Sequence, residues 1–123
     1  MTADAFRRLA LSLPETAESA HMNHPDFRVK GKIFATLAYP DESRGMVKLT
    51  PEQQYNVVRE WPDAFAPVKG AWGLKGCTSV RLAKATAAAL RPAMKMAWEG
   101  ARASKPAKRT ATPKARAARN RPV

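Results

Sequence analysis

The chain has 123 residues, enough for one modest core, and its 22 Lys plus Arg against 10 Asp plus Glu leave a net charge of +12. A single cysteine, Cys77, excludes an internal disulfide and a Cys-rich zinc site. No apolar run is long enough to span a membrane, and the first residues lack the pattern of a secretory leader. These features point to a reducing compartment, so a cytoplasmic monomer without cofactor is the expectation.

Phe6, Leu9, Ala10 and Leu13 recur at helical spacing, with Thr2 or Asp4 as cap and Pro14 as the stop, which predicts an amphipathic helix over 3–13. Residues 15–23 read mainly as a loop, with a short strand around Ala20 to Met22. His21 and His24 stand three apart, but Pro25 argues against the helix that would make that spacing a metal chelate, and no third ligand is close in sequence.

The most informative stretch is Asp26 to Ala35. Phe27 and Val29 alternate with Arg28 and Lys30, Gly31 supplies a turn, and Lys32, Ile33 and Phe34 begin a return strand. Such a hairpin anchors itself through Phe27, Val29 and Ile33 and offers Arg28, Lys30 and Lys32 to an anionic partner. The plainer reading is a solvated basic edge.

The return strand continues to Tyr39 and stops at Pro40; a polar turn follows, then another strand over Met46 to Leu49. The three strands form an antiparallel meander. Thr50-Pro51-Glu52-Gln53 carries an N-cap, a proline at the first helical position and a capping-box glutamine. The helix it starts should bury Tyr55, Val58 and Trp61 and end at Trp61, before Pro62. Glu52 in its first turn disfavours an anion there.

Between 64 and 83, Phe65, Val68, Trp72, Leu74, Val80 and Leu82 are broken by Gly70, Gly73 and Gly76, a pattern for two more strands. The loop from Lys69 to Gly76 is a second basic, glycine-rich hairpin loop. Its Trp72 reads first as core beneath the loop; exposed, it would press on a sugar or base while Lys69 and Lys75 meet phosphates. A last helix places Ala87, Leu90, Met94, Ala97 and Trp98 on one stripe with Thr86 as cap, and Pro92 conflicts with it.

The charge is unevenly spread. Residues 1–100 hold 14 basic and 10 acidic side chains, a net of +4, whereas 101–123 hold eight basic and no acidic ones, a net of +8. The segment 101–123 has the composition of a disordered tail, with Lys105, Lys108, Arg109, Lys114, Arg116, Arg119 and Arg121 available to phosphates.

Five segments together resemble the MmcQ/YjbR family: Leu-Ser-Leu-Pro-Glu at 11–15, His-Pro-Asp-Phe-Arg-Val-Lys-Gly-Lys-Ile-Phe-Ala-Thr at 24–36, Val-Lys-Leu-Thr-Pro-Glu at 47–52, Trp-Gly-Leu-Lys-Gly at 72–76 and Ala-Trp at 97–98. The resemblance implies an α+β domain over 1–100 similar to the CyaY or frataxin fold, an antiparallel sheet with helices on one face. It also implies DNA binding through two projecting wings, which here would be Arg28 to Lys32 and Lys69 to Lys75. Where the family commonly has an aromatic residue after Gly76, this chain has Cys77.

The expected function is therefore sequence-independent binding of double-stranded DNA through Arg28, Lys30, Lys32, Lys69, Trp72, Lys75 and the cationic tail. A non-catalytic protein adaptor is the alternative, supported if Trp72 or Trp61 is exposed. Catalysis by His21, His24, Asp26, Cys77 or Glu99 lacks an accompanying motif. Iron binding lacks a carboxylate ridge, since the first helix carries Asp4 alone beside Arg7 and Arg8.

Overall fold

The computed structural model describes residues 1–38 and 41–103. In chain order these form α1 (Ala3–Leu11), β1 (Thr16–His21), β2 (His24–Val29), β3 (Lys32–Leu37), β4 (Arg44–Lys48), α2 (Pro51–Glu60), β5 (Phe65–Pro67), α3 (Ala71–Leu74), β6 (Cys77–Arg81) and α4 (Ala87–Ala103). The expected end of the third strand at Tyr39 and Pro40, and the tail cations from Lys105 to Arg121, lie outside the described residues. No described helix is long and apolar enough to cross a membrane.

All six strands join one antiparallel sheet in the order β1-β2-β3-β4-β6-β5. The fold is α+β, with Phe6 and Ala10 of α1 and Leu90, Met94 and Ala97 of α4 packed on Phe27, Val29, Phe34, Ala35, Leu37, Val47 and Val80 of the sheet. Opposed residues of an antiparallel pair share a face, so the register separates the two sides of the sheet. Phe27, Ala35, Val47 and Thr78 form a buried row on the helix side, while Asp26, Thr36, Met46 and Ser79 form the next row on the other.

The local signals explain the elements. Thr2 caps α1 through the Ala5 amide, and Thr50 and Gln53 complete the capping box of α2. Thr86 accepts from the Ala89 amide at the start of α4. Pro92 lies inside α4 as the sixth residue from its start; it removes one donor to the Ala88 carbonyl, and both residues face solvent. Trp98 Nε1 donates to the Pro14 carbonyl at 3.0 Å, tying the last helix to the end of the first.

Several expectations change. Residues 15–23 contain a full strand, β1, which pairs with β2 across a turn at Met22 and Asn23, both with positive φ. That strand is polar and exposed on both faces except at Thr16, so it shows no alternation, and Met is an unusual occupant of a left-handed turn position. In α2 the buried residue is Val57; Val58 is half-buried, and Tyr55 and Trp61 are exposed, Trp61 being the C-cap. Trp72 is 59% exposed rather than core. The loop that carries it closes into the single turn of α3, whose buried residue is Gly73, and this turns the neighbouring indole outward.

Ile33 is likewise absent from the core. Phe27 opposes Ala35 while Arg28 opposes Ile33, so Phe34 is an extra residue in the ladder. This bulge sends Phe34 into the core and Ile33 to the open face.

Two glycines mark where the second loop is pinned. A Cβ at Gly76, whose φ is +109°, would stand 1.9 Å from the Leu49 carbonyl oxygen, and one at Gly73 would stand 1.7 Å from that of Val68. Replacing Gly76 by Ala should lower unfolding free energy by about 2–4 kcal/mol, because the backbone must both leave its conformation and separate. Gly31 also has positive φ but has open space around its Cβ position, so Gly31→Asn should cost about 1 kcal/mol or less. Urea unfolding of the two variants tests this contrast; equal losses would show that the close approach at Gly76 is unimportant.

Candidate functional site

The described helices leave one face of the sheet uncovered, and the candidate side chains divide between that face and one end of the sheet. Phe27, Ala35, Val47, Thr78 and Pro67 align across five strands. The turn at Lys30–Gly31 and the β5–β6 connection at 68–76 both lie to the same side of that row. Both basic loops therefore leave the sheet from one end. In the strand order they are three strand spacings apart, roughly 14 Å.

Lys30 and Gly31 have φ of 53° and 78°, as a two-residue hairpin turn with the twist of its strands requires. Lys30 is exposed at the tip. Lys32 stands opposite Val29 and so lies on the helix side, whereas Arg28 belongs to the open face; the three cations do not share one face. In the second loop Lys69 and Lys75 are exposed, and the Lys75 ammonium lies 5.5 Å from the centre of the Trp72 ring. Gln54 of α2 fixes this loop by donating to the carbonyls of Gly73 (3.0 Å) and Cys77 (2.9 Å). Lys30, Lys32, Lys69 and Lys75 form no ion pair among the described residues.

Arg28 is differently placed. Its Nε and second guanidinium nitrogen donate to the two carboxylate oxygens of Asp26 at 2.8 and 3.1 Å, and His21 Nδ1 lies 2.7 Å from Asp26 Oδ2. Asp26 is fully buried, and the hydrogen bonds from Arg28, opposed by burial and aided by His21, hold its carboxyl below the usual range. The same pair raises the Arg28 guanidinium. These residues brace the first hairpin against β1.

Further along the open face, Arg44 and Arg81 stand directly opposite one another on β4 and β6, a like-charged cross-strand pair. Arg44 reaches the Ser79 hydroxyl at 3.4 Å, and neither arginine forms an ion pair among the described residues, although Asp63 lines the same hollow. Sequence reasoning passed over Arg44, Lys48 and Arg81. The alternation of Arg44, Met46 and Lys48 hints at one shared face, but the pairing of β4 with β6 across a helix was not readable.

His21 and Cys77 line a common groove on the open face, and His24 is not among its lining residues. Burial pushes the Cys77 thiol up, opposed by Lys48 and Lys75, which disfavours the thiolate a nucleophile requires. No cluster of three or more His, Cys, Asp or Glu suited to a metal occurs among the described residues.

The Asp26 cluster makes a pH prediction. A carboxyl held below its unfolded value contributes stability that is present above about pH 4 and lost as pH falls through the lower folded value. Asp26→Asn should lower stability by about 1–3 kcal/mol at neutral pH and flatten the acid limb of the profile, as read by denaturant unfolding across pH. An unchanged acid limb would remove Asp26 as its source.

Comparison with known proteins agrees with this architecture. A crystal structure of Deinococcus radiodurans protein DR2400, which carries a DUF419 domain, superposes with a TM-score of 0.64 at 21% identity, covering 79% of this chain and 75% of that one. At that identity the likeness speaks for the fold. No curated protein matches the sequence. The YjbR family model matches residues 11–99, the span that contains the sheet, both basic loops and most of α4. The chain belongs to the YjbR family.

Proposed function

We propose that this protein is a non-enzymatic binding module for double-stranded DNA, held through phosphates without base reading. The observation that carries it is the common direction of the two basic loops, with Lys30 and Lys32 on one and Lys69 and Lys75 on the other. Their separation of roughly 14 Å is close to the ~12 Å width of a B-DNA major groove, so each loop can meet one of the two flanking backbones. Trp72 adds an exposed ring beside the second loop, and the tail adds further cations by its composition. Arg28, committed to Asp26, supports the hairpin and contributes less direct contact.

Exposure of Trp72 at the end that carries both basic loops also favours the adaptor reading, in which that end meets a protein; Trp61 is exposed too, but beside the start of β5 at the opposite end. The two readings diverge in their response to salt. Fluorescence anisotropy of a labelled duplex should show binding by the full chain that weakens between about 50 and 200 mM salt. Changing Lys30, Lys32, Lys69 and Lys75 together to Ala should reduce affinity and shallow the salt slope by about 0.9 for each phosphate no longer neutralised. Ending the chain at residue 103, which retains every core residue, should weaken binding without abolishing it. Loss of all binding on truncation would transfer the role to the tail, and no binding by the full chain at low salt would overturn the DNA reading.

A further inference from the structure

The uncovered face of the sheet holds a groove of about 350 Å³ lined by His21, Ile33, Thr36, Met46, Lys48 and Trp72, with Met22, Val68 and Cys77 completing its walls. Its size and largely apolar lining match those of small-molecule sites, which add a few polar groups to fix orientation. One such group is conspicuous. Thr36 is 3% exposed, it belongs to the groove lining, and its hydroxyl has no hydrogen-bond partner among the described residues. A buried hydroxyl without a partner is costly, and a ligand atom in the groove would satisfy it.

Charge narrows the ligand further. Lys48 lines the groove and faces Cys77 across the β4–β6 ladder, and the Lys75 ammonium lies 5.5 Å from the centre of the Trp72 ring that forms part of its wall. Neither lysine forms an ion pair among the described residues. No Asp or Glu is among the lining residues to repel an anion, and the nearby Asp26, outside the lining, is engaged by Arg28 and His21. Ile33 reaches this face only because of the bulge in β3, and Trp72 only because α3 turns it outward.

We propose that the groove binds a small planar, largely apolar molecule bearing one anionic group. Its ring packs among Ile33, Met46 and Trp72, its anion meets Lys48, and a polar atom engages the Thr36 hydroxyl. The inference does not depend on DNA binding, and its test contains no nucleic acid.

Indole-3-carboxylate serves as the probe and indole-3-carboxamide as its uncharged counterpart, titrated into the ¹⁵N-labelled full chain. Saturable amide shifts confined to Thr36, Met46, Lys48, Trp72 and Cys77 are expected, with a Kd on the order of 0.1 mM for so small a ligand. The carboxamide should bind roughly 10-fold more weakly, and Lys48→Met, an exposed position, should remove that preference. Thr36→Val should weaken the carboxylate about 5-fold, and Met46→Trp, which fills the groove, should abolish binding while preserving the dispersed spectrum of a folded chain. Equal affinity for the two probes, shifts at other surfaces, or unaltered binding by the folded Met46→Trp protein would each overturn the proposal.

Discussion

Burial of one face of the sheet is the constraint on which the other features depend. Phe6, Leu90 and Met94 press on Phe27, Phe34, Val47 and Val80, and every one of these side chains is withdrawn from water. Burying a large apolar side chain contributes about 1.5–3 kcal/mol, so a slip of one residue in a central strand would turn that strand's core side chains outward and bring in neighbours such as Asp26 and Arg28 on β2 or Arg44 and Lys48 on β4. The register is thereby held, and with it the positions of groups that add little to stability. Asp26, Thr36, Met46 and Ser79 are aligned on the open face because the residues beside them are locked on the other.

The parts of this arrangement that were legible in the sequence are those set by local chemistry. Thr50, Pro51 and Gln53 announced a helix start by themselves, and Gly31 with the Phe27 and Val29 alternation announced the hairpin. What escaped notice depends on contacts between distant segments. Ile33 and Phe34 exchange faces through a bulge visible only once β2 and β3 are paired. Trp72 reads as core because a large aromatic ring in a glycine-rich loop commonly packs beneath it, whereas Gly73 is the residue that must approach another backbone. Tyr55 fits a helical stripe, yet Val57 is buried instead, because which face of α2 meets the core is set by its packing on the later strands β5 and β6. Candidate groups followed the same division: the loop lysines could be read from the turns around them, while the facing Arg44 and Arg81 required the β4–β6 ladder.

The two basic loops are stiffened by different means. The first is a two-residue turn whose strands are braced by a buried carboxylate shared between Arg28 and His21. The second is longer and is held by contacts from outside itself, with Gln54 bonding two of its carbonyls and Gly76 lying against Leu49. The start of α2 thus belongs structurally to the second loop. A change in the capping turn at Thr50 would be felt at Lys75 before it was felt in the helix-side core.

The two edges of the sheet are unlike each other. At one side β5 is three residues long and ends in Pro67, which offers no amide hydrogen; at the other, β1 runs for six residues with little apolar cover. Growth by strand addition is therefore favoured on a single side. Two copies joined through β1 would have no comparable edge left, so the geometry permits a closed pair and discourages open-ended polymerisation. The asymmetry matters for a sheet whose second face carries none of the described helices.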